Sequence, residues 1–100
     1  MGGVGDAATY MLTYRPPRPD FWKTLTAAER ETVEAHFNYL ADLHEKGIVQ
    51  FAGRSDDATF GVVILTAASL EEAERYMRES PAYIKGMYSG EAKPCNFAPK

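Results

Sequence analysis

Hydrophobic and polar positions alternate along residues 7–14, Ala-Ala-Thr-Tyr-Met-Leu-Thr-Tyr, so that Tyr10, Leu12 and Tyr14 share one side and Thr9, Met11 and Thr13 the other. A period of two among aromatic and β-branched residues predicts a first strand. In the next stretch, Arg15-Pro16-Pro17-Arg18-Pro19-Asp20, each proline lacks a backbone donor and pushes the residue before it out of helical geometry. An extended loop is expected there, closed by Phe21 and Trp22.

At Thr26 the period changes. Thr26-Ala27-Ala28-Glu29 has the form of a capping box, and Val33, Phe37, Leu40 and Leu43 then recur at helical spacing, with Glu29, Glu31, Glu34, Asp42 and Glu45 mostly off that stripe. A helix packing one face on a sheet is expected, ending near Lys46 because Gly47 tolerates the left-handed backbone of a helix end. Residues 48–53 and 60–67 read as strands two and three around the polar turn Arg54-Ser55-Asp56-Asp57-Ala58-Thr59. The third strand is apolar on both faces over residues 62–65, the mark of a central strand covered on two sides. Helices supply one cover, and a partner subunit is the expected other.

A second capping box, Ser69-Leu70-Glu71-Glu72, opens a second helix whose Leu70, Ala73, Tyr76 and Met77 repeat at three to four residues. Ser80-Pro81 ends it and begins a short turn to about Lys85. Residues 86–95 form the last strand, with Pro94 where an edge permits it. Strand, helix, strand, strand, helix, strand predicts an α+β fold of the ferredoxin-like kind, βαββαβ, with a four-stranded antiparallel sheet. One hundred residues leave room for a single core, placed here at 7–97 behind a flexible tail over 1–6.

Composition narrows the partners. A net charge of −3 gives no basic cluster to approach a phosphate backbone, so nucleic acid is not an expected partner. The longest apolar run falls far short of a membrane span, and residues 1–8 lack a basic start followed by an apolar core, so a cytoplasmic location without membrane contact is the expectation. Cys95 is the single cysteine, which excludes an internal disulfide and reads as a packed thiol.

Candidate chemistry centres on His36, which lies on or beside the sheet-facing stripe, between Val33 and Leu40. There it either lines a pocket as a proton donor or acceptor, or is a satisfied core histidine. His44 lies about 80° round the helix and about 12 Å along it, too far to share a metal with His36, and reads as a helix-end cation. No metal and no cofactor are expected. Arg15 and Arg54, at the ends of strands one and two, are placed to hold a carboxylate or phenolate, or else are solvated turn residues. Tyr10, Tyr14, Phe21, Trp22 and Tyr39 offer an aromatic lining or lid, or simply core.

The spaced set Thr26-x-x-Glu29, His36-x-x-Tyr39-Leu40-x-x-Leu43-x-x-x-Gly47, Ala52-Gly53, Glu72-Ala73, Ser80-Pro81-Ala82 and Gly86 resembles the YciI-like (YCII-related) family over residues 9–97. The resemblance implies half of a dimeric α+β barrel, in which two sheets pack face to face, and hence a homodimer. It also implies a small-molecule enzyme. Family members with an assigned activity include a dehydrochlorinase of chlorinated hydroquinones, and the wider group includes muconolactone isomerases and cofactor-free monooxygenases.

The family pairs a helix-one His with the Asp of an Asp-Pro dipeptide after helix two. The first position is His36 here, and the second is Ser80. A hydroxyl can bond an imidazole but does not stabilise an imidazolium as a carboxylate does, leaving Asp56 or Asp57 as possible substitutes. The expected function is a cofactor-free lyase or isomerase with His36 as acid or base and Arg15, Trp22, Tyr39, Arg54, Asp56 and Ser80 around the substrate. A non-catalytic dimeric ligand-binding or accessory protein, or a cofactor-free monooxygenase, is the alternative.

Overall fold

In the computed structural model, which describes residues 8–96, the chain runs β1 (Ala8–Arg15), α1 (Ala27–Glu45), β2 (Val49–Arg54), β3 (Gly61–Ala67), α2 (Leu70–Arg78), α3 (Pro81–Ile84) and β4 (Ser89–Cys95). A 3-10 turn at Phe21–Lys23 precedes α1. The tail expected over residues 1–6 lies outside the described residues. The sheet order is β2-β3-β1-β4 with antiparallel neighbours throughout, the ferredoxin-like α+β arrangement that the order of elements predicted.

Local chemistry sets the ends of α1. The Thr26 hydroxyl accepts from the Glu29 N–H at 3.1 Å while the Glu29 carboxylate accepts from the Thr26 N–H at 2.9 Å, a complete capping box. At the other end Gly47 takes φ +81°, letting its N–H reach the His44 carbonyl and the Ile48 N–H reach the Leu43 carbonyl. These two bonds are the Schellman motif that satisfies last-turn carbonyls. The second box is incomplete. Ser69 Oγ accepts from the Glu72 N–H as expected, but the Glu72 carboxylate takes the Ala68 N–H, one residue early.

The helices cover one face of the sheet. Tyr10, Leu12 and Tyr14 of β1 and Val63, Leu65 and Ala67 of β3 are buried on that face, under Val33, His36, Leu40 and Leu43 of α1 and Ala73 and Met77 of α2. The opposite face carries Met11, Val62 and Ile64, only half-buried, beside Phe51, which is 72% exposed.

Three further expectations about the elements need correction. Phe37 is 51% exposed, because the inward positions of α1 step as 33, 36, 40 and 43 and leave 37 at the margin. Leu70, the first residue of α2, is exposed at the helix start. The last strand begins at Ser89 rather than at residue 86. Gly86 takes φ +71°, its N–H bonds the Tyr83 carbonyl, and both the Met87 and Tyr88 N–H groups go to the Ala82 carbonyl of α3 instead of the ladder.

One irregularity bears on the site. Between Val49 and Phe51 the register on β3 slips, so two residues of β2 oppose Ile64. Such a bulge breaks the alternation of faces. Val49 and Arg54 both end on the helix side, although five positions apart, through pairing with Leu65 and Gly61.

Candidate functional site

The cavity between α1 and the β2–β3 hairpin has a volume of about 610 Å³ and is bordered by Pro16 and Trp22 of the loop before α1. Its wall holds Tyr14 from β1, His36, Phe37, Leu40 and His44 from α1, Ala52 and Arg54 from β2, Phe60 and Val63 beyond the turn, and Tyr88. Aliphatic and aromatic side chains make up most of the wall, with a few polar groups among them, as in small-molecule pockets.

His36 is 3% exposed, and its Nδ1 is buried without a hydrogen-bond partner among the described residues. Two tyrosines stand nearly perpendicular to the ring, Tyr14 at 5.0 Å and Tyr88 at 5.3 Å between centroids, each at 82°. Burial penalises the charged imidazolium and pushes the His36 pKa down to about 4, so the ring is neutral at pH 7. No acceptor at Nδ1 fixes its tautomer. The Tyr14 hydroxyl is likewise buried, aimed at Ser80 without a well-formed bond, and burial raises its pKa to about 12. The Tyr88 phenol is also raised to about 12 by burial, against the pull of the Arg54 charge.

A stack frames the mouth. The Arg54 guanidinium carbon lies 4.5 Å from the centroid of the Trp22 ring, and Trp22 stacks on Phe37 at 6.4 Å with 4° between planes. Trp22 is held by a clamp on its loop. Arg18 makes two bonds to the Glu29 carboxylate, at 2.8 and 2.9 Å, and one to the Thr24 carbonyl at 2.7 Å. The clamp and the helix cap share Glu29, whose pKa the Arg18 bonds and then the Thr26 N–H lower to about 2.

Of the residues singled out in the sequence, His36, Trp22 and Arg54 meet at this cavity, as does Tyr14. The others lie elsewhere. Arg15 is exposed, with its guanidinium 6.0 Å from the Phe60 ring. Tyr39 donates to the Tyr76 carbonyl at 2.7 Å and ties α1 to α2. Asp56 is exposed in the hairpin turn, where the Asp57 carboxylate accepts from Ser55 and Thr59. Ser80 is fully buried at the start of α3, its Oγ accepting from the Tyr83 N–H at 3.4 Å. Tyr10 and Phe21 are core.

Sequence reasoning missed Phe37 and Tyr88. Parity held a signal for the second, since Tyr88 is in step with Gly90 and Ala92, which pair with the inward Tyr14 and Leu12. His44 also borders the cavity, but its Nδ1 donates to the Val49 carbonyl at 2.8 Å. Among the described residues no group of three or more His, Cys, Asp or Glu is gathered as for a metal ion, and no helix is long and apolar enough to cross a membrane.

No curated protein sequence matches the chain. Among solved structures, 5-chloro-2-hydroxyhydroquinone dehydrochlorinase (TftG) from Burkholderia phenoliruptrix AC1100, in complex with 2,5-dihydroxybenzoquinone, has a TM-score of 0.65. The match covers 89% of this chain and 95% of that one at 22% identity, a likeness of fold. A family model, the YCII-related domain, matches residues 9–91. The chain therefore belongs to the YCII-related family.

Proposed function

We propose that the chain is a cofactor-free small-molecule enzyme of lyase or isomerase type, in which His36 moves a proton on a cyclic or aromatic substrate held in the cavity. The observation that carries this reading is a buried, neutral imidazole on the wall of an aromatic-lined cavity of about 610 Å³. A neutral ring accepts a proton. In the lyase form His36 takes it from the substrate as a leaving group departs with its electron pair; in the isomerase form the proton returns to a different ring atom. Family membership and the fold shared with a dehydrochlorinase support the lyase form. A screen of hydroxylated and halogenated quinols, followed by His36→Ala and His36→Gln, tests it. Loss of about a hundredfold or more in turnover is expected, and a loss within about threefold sinks the role.

A second reading is a ligand-binding or accessory protein without turnover. It is favoured by Ser80 at the position of the family's Asp, together with a cavity wall that holds no carboxylate among the described residues. Under it, a quinol binds and shifts the His36 ring resonances while no product forms.

We also propose a homodimer, formed through the sheet face opposite the helices. The half-buried Met11, Val62 and Ile64 and the exposed Phe51 lie there as an uncovered apolar surface.

A further inference from the structure

We propose that the cavity selects a planar ring bearing an anionic oxygen, a carboxylate or a phenolate, and that Arg54 reads this charge from its seat on the Trp22 indole. This rests on the reading of the cavity as a substrate site and names the class of substrate it takes.

The wall is electrostatically one-sided. Among the described residues it carries one permanent cation, Arg54, and no Asp or Glu. Arg15 stands outside the wall, and His44 already spends its Nδ1–H on a backbone carbonyl. Every ion pair found among the described residues belongs to Arg18, Lys46, Arg75, Arg78 or Lys93, so the Arg54 guanidinium has no carboxylate partner. Seated on an aromatic face instead, it keeps its in-plane N–H donors for a planar oxyanion.

Two further observations converge. The Arg54 charge is felt at the Tyr88 phenol, whose ring abuts His36, so its field reaches the deep end of the cavity. And if His36 takes a proton, no carboxylate on the wall offsets the buried imidazolium. The negative charge that this transfer leaves on the substrate is its countercharge, and an oxygen carrying that charge suits the Arg54 guanidinium.

Calorimetry on the full chain tests this with 4-hydroxybenzoate against 4-hydroxybenzamide for the carboxylate, and ionised 4-nitrophenol against 4-nitroanisole for the phenolate. At least one anion is expected to bind about tenfold or more tighter than its neutral partner and to quench the single tryptophan, Trp22. In Arg54→Gln, checked for folding by circular dichroism, that ratio falls to about one, with part of it restored in Arg54→Lys. The proposal is overturned if neutral and anionic partners bind alike, if the preference survives Arg54→Gln, or if neither pair binds. The same pairs measured on His36→Ala separate the two readings. A preference kept there, beside turnover that His36→Ala leaves intact, removes the catalytic role and keeps the anion site.

Discussion

The ring of Tyr14 meets the imidazole of His36 edge-on at 5.0 Å, and the buried polar atoms of the pair, Tyr14 Oη and His36 Nδ1, both lack a hydrogen-bond partner among the described residues. Such atoms normally find one, because a buried, unmatched donor or acceptor forfeits its bonds to water. The helix–sheet seam thus carries uncompensated polarity beside the cavity.

The first prediction separates ring from hydroxyl. Tyr14→Phe keeps the edge contact and removes the unmatched Oη, so stability stays level or rises by about 1 kcal/mol. Tyr14→Ala empties the core under α1 and costs about 3 to 5 kcal/mol. Urea unfolding of both variants reads the difference. A clear loss in Tyr14→Phe would mean that the hydroxyl does have a partner in solution.

The second concerns pH. The folded His36 pKa of about 4 lies below the ordinary 6.5, so between those values the unfolded chain binds the extra proton. Stability is fully present above about pH 6.5 and falls as the pH drops through about 4, by about 3 kcal/mol from this group. The Glu29 carboxylate, lowered to about 2, adds a further loss at lower pH. Unfolding midpoints from pH 7 to pH 4 are expected to fall in the wild type and to flatten in His36→Gln. The His36 ring resonances titrate near pH 4 in the unliganded protein.

A third addresses the loop clamp. Arg18→Met removes both bonds to Glu29 and the bond to the Thr24 carbonyl, freeing the segment that holds Trp22 against Arg54 and Phe37. Trp22 emission shifts to the red and becomes more readily quenched by acrylamide, and binding of ring ligands weakens. Unchanged Trp22 emission would show that the stack, not the clamp, holds the loop.

The fourth is assembly. Phe51→Glu or Ile64→Glu places a charge on the uncovered sheet face, away from the α1 side. A dimeric wild type is expected to give way to monomer in either variant. Sedimentation of the wild type as a stable 11.1 kDa monomer at micromolar concentration rejects the proposal.

Elements whose signals are local were legible. Thr26 with Glu29, and Gly47 with its positive φ, mark both ends of α1 because capping chemistry is complete within one turn. The paired apolar faces of residues 62–65 marked a central strand. Features that depend on the folded chain were not. Arg15 and Arg54 are equivalent as strand-end arginines in sequence, and only the placement of the hairpin and of the Trp22 loop brings one of them to the cavity. Phe37 shares a helical stripe with Val33 by spacing, yet the crossing of α1 over the sheet selects His36 for the inward position. Tyr88 was assigned to a ladder, whereas its N–H returns to α3.

The bulge in β2 has a bearing on chain length. Gln50 is a spare residue, so a shortened chain lacking it would close the ladder with Val49 and Arg54 still facing α1. Loss of Gly53 instead forces a choice: Arg54 turns to the opposite face, or the slack is consumed and Phe51 swings beneath the helix. At this strand an insertion or deletion acts as a change of facing. Related chains are therefore best aligned here by which residue points at α1, not by residue count.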